Sequence, residues 1–185
     1  MAKPRLFLVA PVGLSADQIL ACATVACAVG DVASIVVAPT VLQTVAGKLQ
    51  SLDLAVLANG NTDAKCDGVH LNGIDDDIAE ARRTLGKDIV VGAFCAASRH
   101  AAMQAAEDGA DYIALSQNTY TPSEPIIGWW SDLFEIPCVA FDPIEAKDLD
   151  LLLPQKPDFI RPGDAMWSSP EEARRLVFEL MQRMA

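Results

Sequence analysis

A chain of 185 residues, 51% hydrophobic and 21% charged, has the size and composition of one globular domain with a substantial core. Its formal net charge of -11 offers no excess of Lys and Arg to neutralise a nucleic-acid backbone or an anionic membrane, so no nucleic acid and no membrane is expected as a partner. No apolar run approaches the ~20 residues that span a bilayer. Residues 6–10 follow Lys3 and Arg5 but are too few for a secretory core and end at Pro11, so a cytoplasmic protein is expected.

In chain order, the first strand is expected over residues 6–10. Ser15 then caps a helix, with Gln18 three residues on completing a capping box and Gly30 as the stop. A strand over 34–38, a helix over 41–52 and a strand over 54–58 follow. Any helix after Asn59 can be little more than a turn before the fourth strand at 68–71. Residues 78–85 form a helix ended by Gly86, 89–94 the fifth strand, and 99–107 a helix ended by Gly109. The sixth strand covers 112–115, and a Pro-containing loop leads to a helix over 126–134. The seventh strand is 138–141, a helix runs over 145–153, and the eighth strand is 159–160. Pro170 in a first turn with Glu171 and Glu172 opens a last helix reaching Met184.

An aspartate before two strand-forming residues recurs as Asp67-Gly68-Val69, Asp111-Tyr112-Ile113 and Asp158-Phe159-Ile160, at intervals of 44 and 47 residues. Each interval holds two β-α units, the mark of a fold that reuses one supersecondary unit. Eight short strands apolar on both faces, alternating with helices, call for parallel β-structure covered on both sides. The expected fold is therefore α/β, a compact (β/α)8 TIM barrel in a single domain over residues 1–185. Its loops must be short, since such barrels usually run to about 250 residues. A doubly wound open sheet is the alternative.

Chemistry in such a barrel sits at the carboxyl ends of the strands. This chain places there Asn59, His70, Asn72, the run Asp75-Asp76-Asp77, Cys95, the polar run Ser116-Gln117-Asn118-Thr119, Asp142, Arg161 and Gly163. His70 could face into or out of the barrel, and a structural histidine is favoured over a catalytic one. Cys95 reads as a buried thiol rather than a nucleophile, because no base is identifiable beside it. The three aspartates suit either a magnesium ion or the acidic first turn of a helix. Trp129 and Trp130 read as helix packing or as a lid. The run 116–119 offers hydrogen bonds to a neutral polar ligand, or is a capped loop. Cys22, Cys27, Cys66, Cys95 and Cys138 are odd in number and lack a CxxC pair, which suits neither a disulfide framework nor structural zinc.

The segments Asp67-Gly68-Val69-His70-Leu71, Val90-Val91-Gly92, Gly109-Ala110-Asp111-Tyr112-Ile113 and Ile136-Pro137-Cys138-Val139-Ala140 resemble thiamine phosphate synthases and their thiazole tautomerase relatives. The resemblance implies a phosphate-binding (β/α)8 barrel of thiamine metabolism. It also implies a transferase that joins a pyrimidine diphosphate to a thiazole phosphate with loss of pyrophosphate, assisted by Mg2+. Asn59 matches an asparagine of the diphosphate site, and Asp75 aligns with a metal-binding aspartate, the candidate metal ligand here. Other positions depart from the pattern. Gly60 replaces the first metal-binding aspartate, Phe94 a serine, Gln117 the tautomerase histidine, and Asp142-Pro143 a Gly-Gly phosphate turn. The basic cluster after strand two becomes Val37-Ala38-Pro39-Thr40-Val41, and a threonine-rich loop ending in lysine becomes Tyr120-Thr121-Pro122-Ser123-Glu124.

Cleaving a diphosphate develops several negative charges, which magnesium, Lys and Arg normally neutralise. Arg161 is the evident cation of this rim, beside Asp75, Asp76, Asp77, Asp142 and Asp164. The expected function is thus a thiamine phosphate synthase-like protein with altered or lost catalysis. Arg161 would anchor an anion, and Asn59, His70, Asn72, Asp75, Cys95, Ser116, Gln117, Asn118 and Gly163 would surround a thiamine precursor or related small molecule. The alternative is a non-catalytic barrel binding a small molecule or a protein; a homodimer stays open.

Overall fold

Val, Ile, Leu and Ala dominate the strand segments because each strand is buried on both faces: Tyr112–Leu115 is buried throughout, and Val32–Val37 has one half-buried residue. The computed structural model describes residues 3–60, 65–116 and 125–185. Its strands are β1 (Arg5–Val9), β2 (Val32–Val37), β3 (Ala55–Asn59), β4 (Gly68–Asn72), β5 (Val90–Phe94), β6 (Tyr112–Leu115), β7 (Cys138–Ile144) and β8 (Phe159–Pro162). All pair in parallel in sequence order, and β8 closes onto β1. The sheet is therefore a closed barrel, and the open-sheet alternative falls.

The helices are α1 (Ala16–Val29), α2 (Pro39–Gln50), α3 (Ile78–Leu85), α4 (Arg99–Glu107), α5 (Ile126–Leu133), α6 (Leu149–Leu152) and α7 (Pro170–Arg183). Among the described residues, no helix is long and apolar enough to cross a membrane. Ser15, Asp77, Ser98 and Ser169 each accept an amide from the first turn of the helix that follows, which satisfies donors the helix itself cannot. Gln18 departs from the capping-box expectation: its side chain donates to the Trp167 carbonyl at 2.7 Å, tying α1 to the segment before α7. The helix expected over 145–153 is broken into a 3-10 turn, the single turn α6 and a second 3-10 turn. A capping box between Glu145 and Asp148 starts this segment, and Lys156, in the left-handed region at φ 57°, ends it.

The repeated aspartates explain the ring. Asp67 accepts the Val56 amide at 2.7 Å, Asp111 the Val91 amide at 2.8 Å and Asp158 the Cys138 amide at 2.8 Å. In return their own amides donate to the carbonyls of Val56, Val91 and Cys138. Each aspartate thus clamps the strand that precedes its own at the amino end of the barrel. Such two-way pairing fills backbone groups that would otherwise be orphaned where pairing begins.

Two apolar layers result from the alternation of side chains along the strands. The larger lies between strands and helices and holds Leu6, Leu8, Ile35, Val56, Ile113 and Trp130 among many others. The smaller fills the barrel: Phe7, Val36, Leu57, Tyr112, Ala114 and Val139, with Val9, Phe94, Phe141 and Phe159 packed against them.

Candidate functional site

At the carboxyl ends of the strands the barrel opens into a cavity of about 220 Å³. Asn59, His70 and Asn72 supply its polar wall, and Val9, Val36, Phe94 and Phe141 its apolar one. Residues 70 and 72 share a face because strand side chains alternate. Register does the rest: Asn59 is level with His70, and Asn72 with Phe94. Three of the sequence-derived site residues therefore meet in one place.

His70 points into the barrel, which decides the orientation left open by its sequence. It is 6% exposed, and its Nδ1 lies 2.7 Å from the hydroxyl of Tyr112, itself 6% exposed. The imidazole stacks on Phe141 with centroids 4.9 Å apart. Burial, assisted by the nearby Arg161 charge, brings the His70 pKa down to about 4, so the ring is neutral at physiological pH. Burial also holds the Tyr112 phenol well above its ordinary range, so it keeps its proton. Gly92 makes this pair feasible. A Cβ there would stand 1.9 Å from the Tyr112 ring and 2.3 Å from its hydroxyl, so the tyrosine crosses over the glycine to reach the histidine.

Asn72 organises the next turn. Its side-chain amide donates to Asp75 at 2.6 Å, its backbone amide to Asp76 at 2.8 Å, and its carbonyl oxygen Oδ1 accepts from Ile74 at 3.1 Å. Asp77 caps α3 through the Glu80 amide at 2.8 Å. All three exposed carboxylates are thus engaged in shaping the loop from β4 to α3.

Arg161 projects inward from β8. Its guanidinium lies 5.1 Å from the Phe141 ring centroid, donates to the Phe141 carbonyl at 3.2 Å and pairs with Asp164 at 2.7 Å. Its Nε–H is buried with no partner among the described residues. A second cation at this end was passed over in the sequence reading: Arg99 opens α4 and lies 4.7 Å from the Trp129 ring centroid. Trp129 therefore takes part in helix packing and a cation–π contact.

The remaining candidates sit apart from the cavity wall. Cys95 is fully buried in the layer between strands and helices, where desolvation pushes its thiol up to about 12. Gly163 donates its amide to the Ile144 carbonyl at 2.9 Å, so that amide is committed to the backbone. Ser116 is half-buried at the end of β6, its amide bonded to the Ala96 carbonyl at 3.0 Å. Gln117 and Asn118 lie outside the described residues.

This barrel and its mouth can be set beside known proteins. The family model described as thiamine monophosphate synthase matches residues 49–160. The chain belongs to that family. It is similar to the thiamine-phosphate synthase of Rhodospirillum centenum, 37% identical over 134 residues that cover 66% of this chain and 65% of that protein. It is also similar to the thiamine-phosphate synthase of Erythrobacter litoralis, 40% identical over 124 residues covering 62% of this chain and 58% of the other. The match thus spans less than two thirds of either relative. In fold it resembles a thiamine phosphate pyrophosphorylase from Pyrococcus furiosus, with a TM-score of 0.79, 18% identity, and coverage of 97% of this chain and 95% of that one.

Magnesium prefers an octahedron of carboxylates, phosphates and waters. The donors here do not fit it. Asp75 and Asp76 are neighbours on one turn whose oxygens hold Asn72, and Gly60 stands where the resemblance implies a second carboxylate. Gly60 has φ 90° and donates to the His70 carbonyl at 2.8 Å, a backbone setting that favours glycine. No group of three or more His, Cys, Asp or Glu converges among the described residues. Tyr112, Gly92 and Phe141 are the site components missed as such from sequence: the register across β4, β5 and β6 brings Tyr112 over Gly92 to His70, and Phe141 comes from β7.

Proposed function

We propose that this chain is a thiamine phosphate synthase-like protein whose barrel mouth holds one small, uncharged ring compound, a thiamine precursor or related molecule. The family's coupling of a pyrimidine diphosphate to a thiazole phosphate is altered or lost in this reading. The observation that carries it is the mouth itself, a cavity of about 220 Å³ walled by two asparagines, a neutral histidine and two phenylalanines. The two guanidiniums at this end are already engaged, Arg161 with Asp164 and Arg99 with Trp129. The described cavity wall carries no Lys or Arg, and the carboxylates of Asp75 and Asp76 are bonded to its Asn72.

The test combines turnover with binding. The protein is incubated with the pyrimidine diphosphate, the thiazole phosphate and magnesium, and pyrophosphate release is measured. The expected result is no release above background, together with a raised melting temperature in the presence of the unphosphorylated pyrimidine or thiazole alcohol. Sustained pyrophosphate release would refute the proposal.

A further inference from the structure

The Tyr112 hydroxyl and His70 Nδ1 share one proton across 2.7 Å, and two arrangements satisfy that distance. In the first, tyrosine donates to an unprotonated Nδ1, and the imidazole carries its proton on Nε2. In the second, Nδ1–H donates to the phenol oxygen, and the hydroxyl proton must find another acceptor.

The surroundings decide between them. No other described group bonds the Tyr112 hydroxyl, which is enclosed with Phe7 at 5.4 Å between ring centroids and Gly92 beneath it. The second arrangement would therefore bury a hydroxyl proton without a partner, which disfavours it roughly 5- to 150-fold. With Nδ1 so occupied, Nε2 is the remaining polar atom of a side chain that lines the cavity, and no described residue takes it up.

We propose that Tyr112 is a positioning residue that locks His70 in its Nε2–H tautomer, giving the barrel mouth a fixed neutral donor for an acceptor atom on an uncharged planar ligand. This rests on the reading of the mouth as a ligand site. The same ring cannot serve there as a base, because its basic nitrogen faces the tyrosine. The carboxamides of Asn59 and Asn72 border the same cavity together with the apolar Phe94 and Phe141, which is the setting of an aromatic nitrogen heterocycle rather than of an anion.

The test is two-bond ¹H–¹⁵N correlation spectroscopy on histidine-labelled protein at neutral pH, which distinguishes the tautomers directly. His70 is expected as the Nε2–H form in the wild type; a dominant Nδ1–H form would overturn the proposal. Tyr112→Phe removes only the hydroxyl, so the ring packing that a structural role would use is retained. In that variant the Nδ1–H fraction should rise at least about fivefold, and an unchanged ratio would overturn Tyr112's role. Pyrimidine, added as the acceptor probe with benzene as the acceptor-free control, should shift the wild-type Nε2 resonance while benzene should not. If pyrimidine leaves that resonance unmoved although the tautomer is as stated, the ligand-site reading falls and with it the donor function.

Discussion

Acidifying the protein should unmask the burial of His70. In the folded state its pKa is about 4, against 6.5 for the free side chain, with desolvation as the main cause and the Arg161 charge second. The unfolded chain therefore binds a proton at a higher pH than the folded one. Stability is full above pH 6.5, falls as pH drops from 6.5 towards 4, and loses nothing further to this group below that. At ~1.4 kcal/mol per pH unit, the loss over the window amounts to about 3 kcal/mol, a large part of a typical domain's stability. Carboxylates also titrate near the lower end, so the informative quantity is a difference. Urea unfolding of the wild type and of His70→Gln, measured at several pH values from 7 to 4, should give curves that converge by about 3 kcal/mol as pH falls. Parallel curves would show that His70 is not held neutral by its surroundings, and the argument for its burial would fail.

Two other perturbations test the scaffold. Gly92→Ala puts a methyl group into the space of the Tyr112 ring; urea unfolding should show a loss of about 1–3 kcal/mol, accompanied by loss of the His70–Tyr112 hydrogen bond in the imidazole spectrum. Asp111→Ala removes the acceptor of the Val91 amide and the ion-pair partner of Arg82, and should cost about 1–3 kcal/mol because a part-buried N–H is left unmet. Asp31→Ala is its control: that side chain pairs with Arg5 at the surface, the two side chains 55% and 47% exposed, and should cost under ~1 kcal/mol. Equal losses for Asp31 and Asp111 would refute the clamp.

The barrel was legible because its period is written in residues that do structural work. Asp67, Asp111 and Asp158 recur since each must stand one position before an even-numbered strand to hold the amide of the strand before it. Element ends were less legible where tertiary bonds override local pattern. α2 begins at Pro39, whose ring presets the first helical turn, two residues earlier than apolar spacing indicates. β7 runs on to Ile144 through a register shift between Ala140 and Ile144, although Pro143 reads as a stop.

For the site, the sequence ranks residues by the chemistry they carry alone, and that ranking separates here from geometry. Asp75, Asp76 and Asp77 read either as a metal cluster or as the acidic start of a helix, and in the fold they shape one turn and cap one helix. Tyr112 and Gly92 look like fold markers, yet they define what His70 can offer. The decisive fact is a row across three strands: His70 is level with Gly92, and Gly92 with Tyr112. The middle strand contributes nothing but the absence of a side chain, which lets groups two strands apart touch. A slip of β6 by one residue would turn Tyr112 to the helix layer and bring Ile113 inward. His70 would then face an aliphatic wall with no partner for Nδ1, and either nitrogen could carry the proton. The donor at the mouth is therefore a property of the barrel's register, set by the same clamp at Asp111 that fixes where β6 starts against β5.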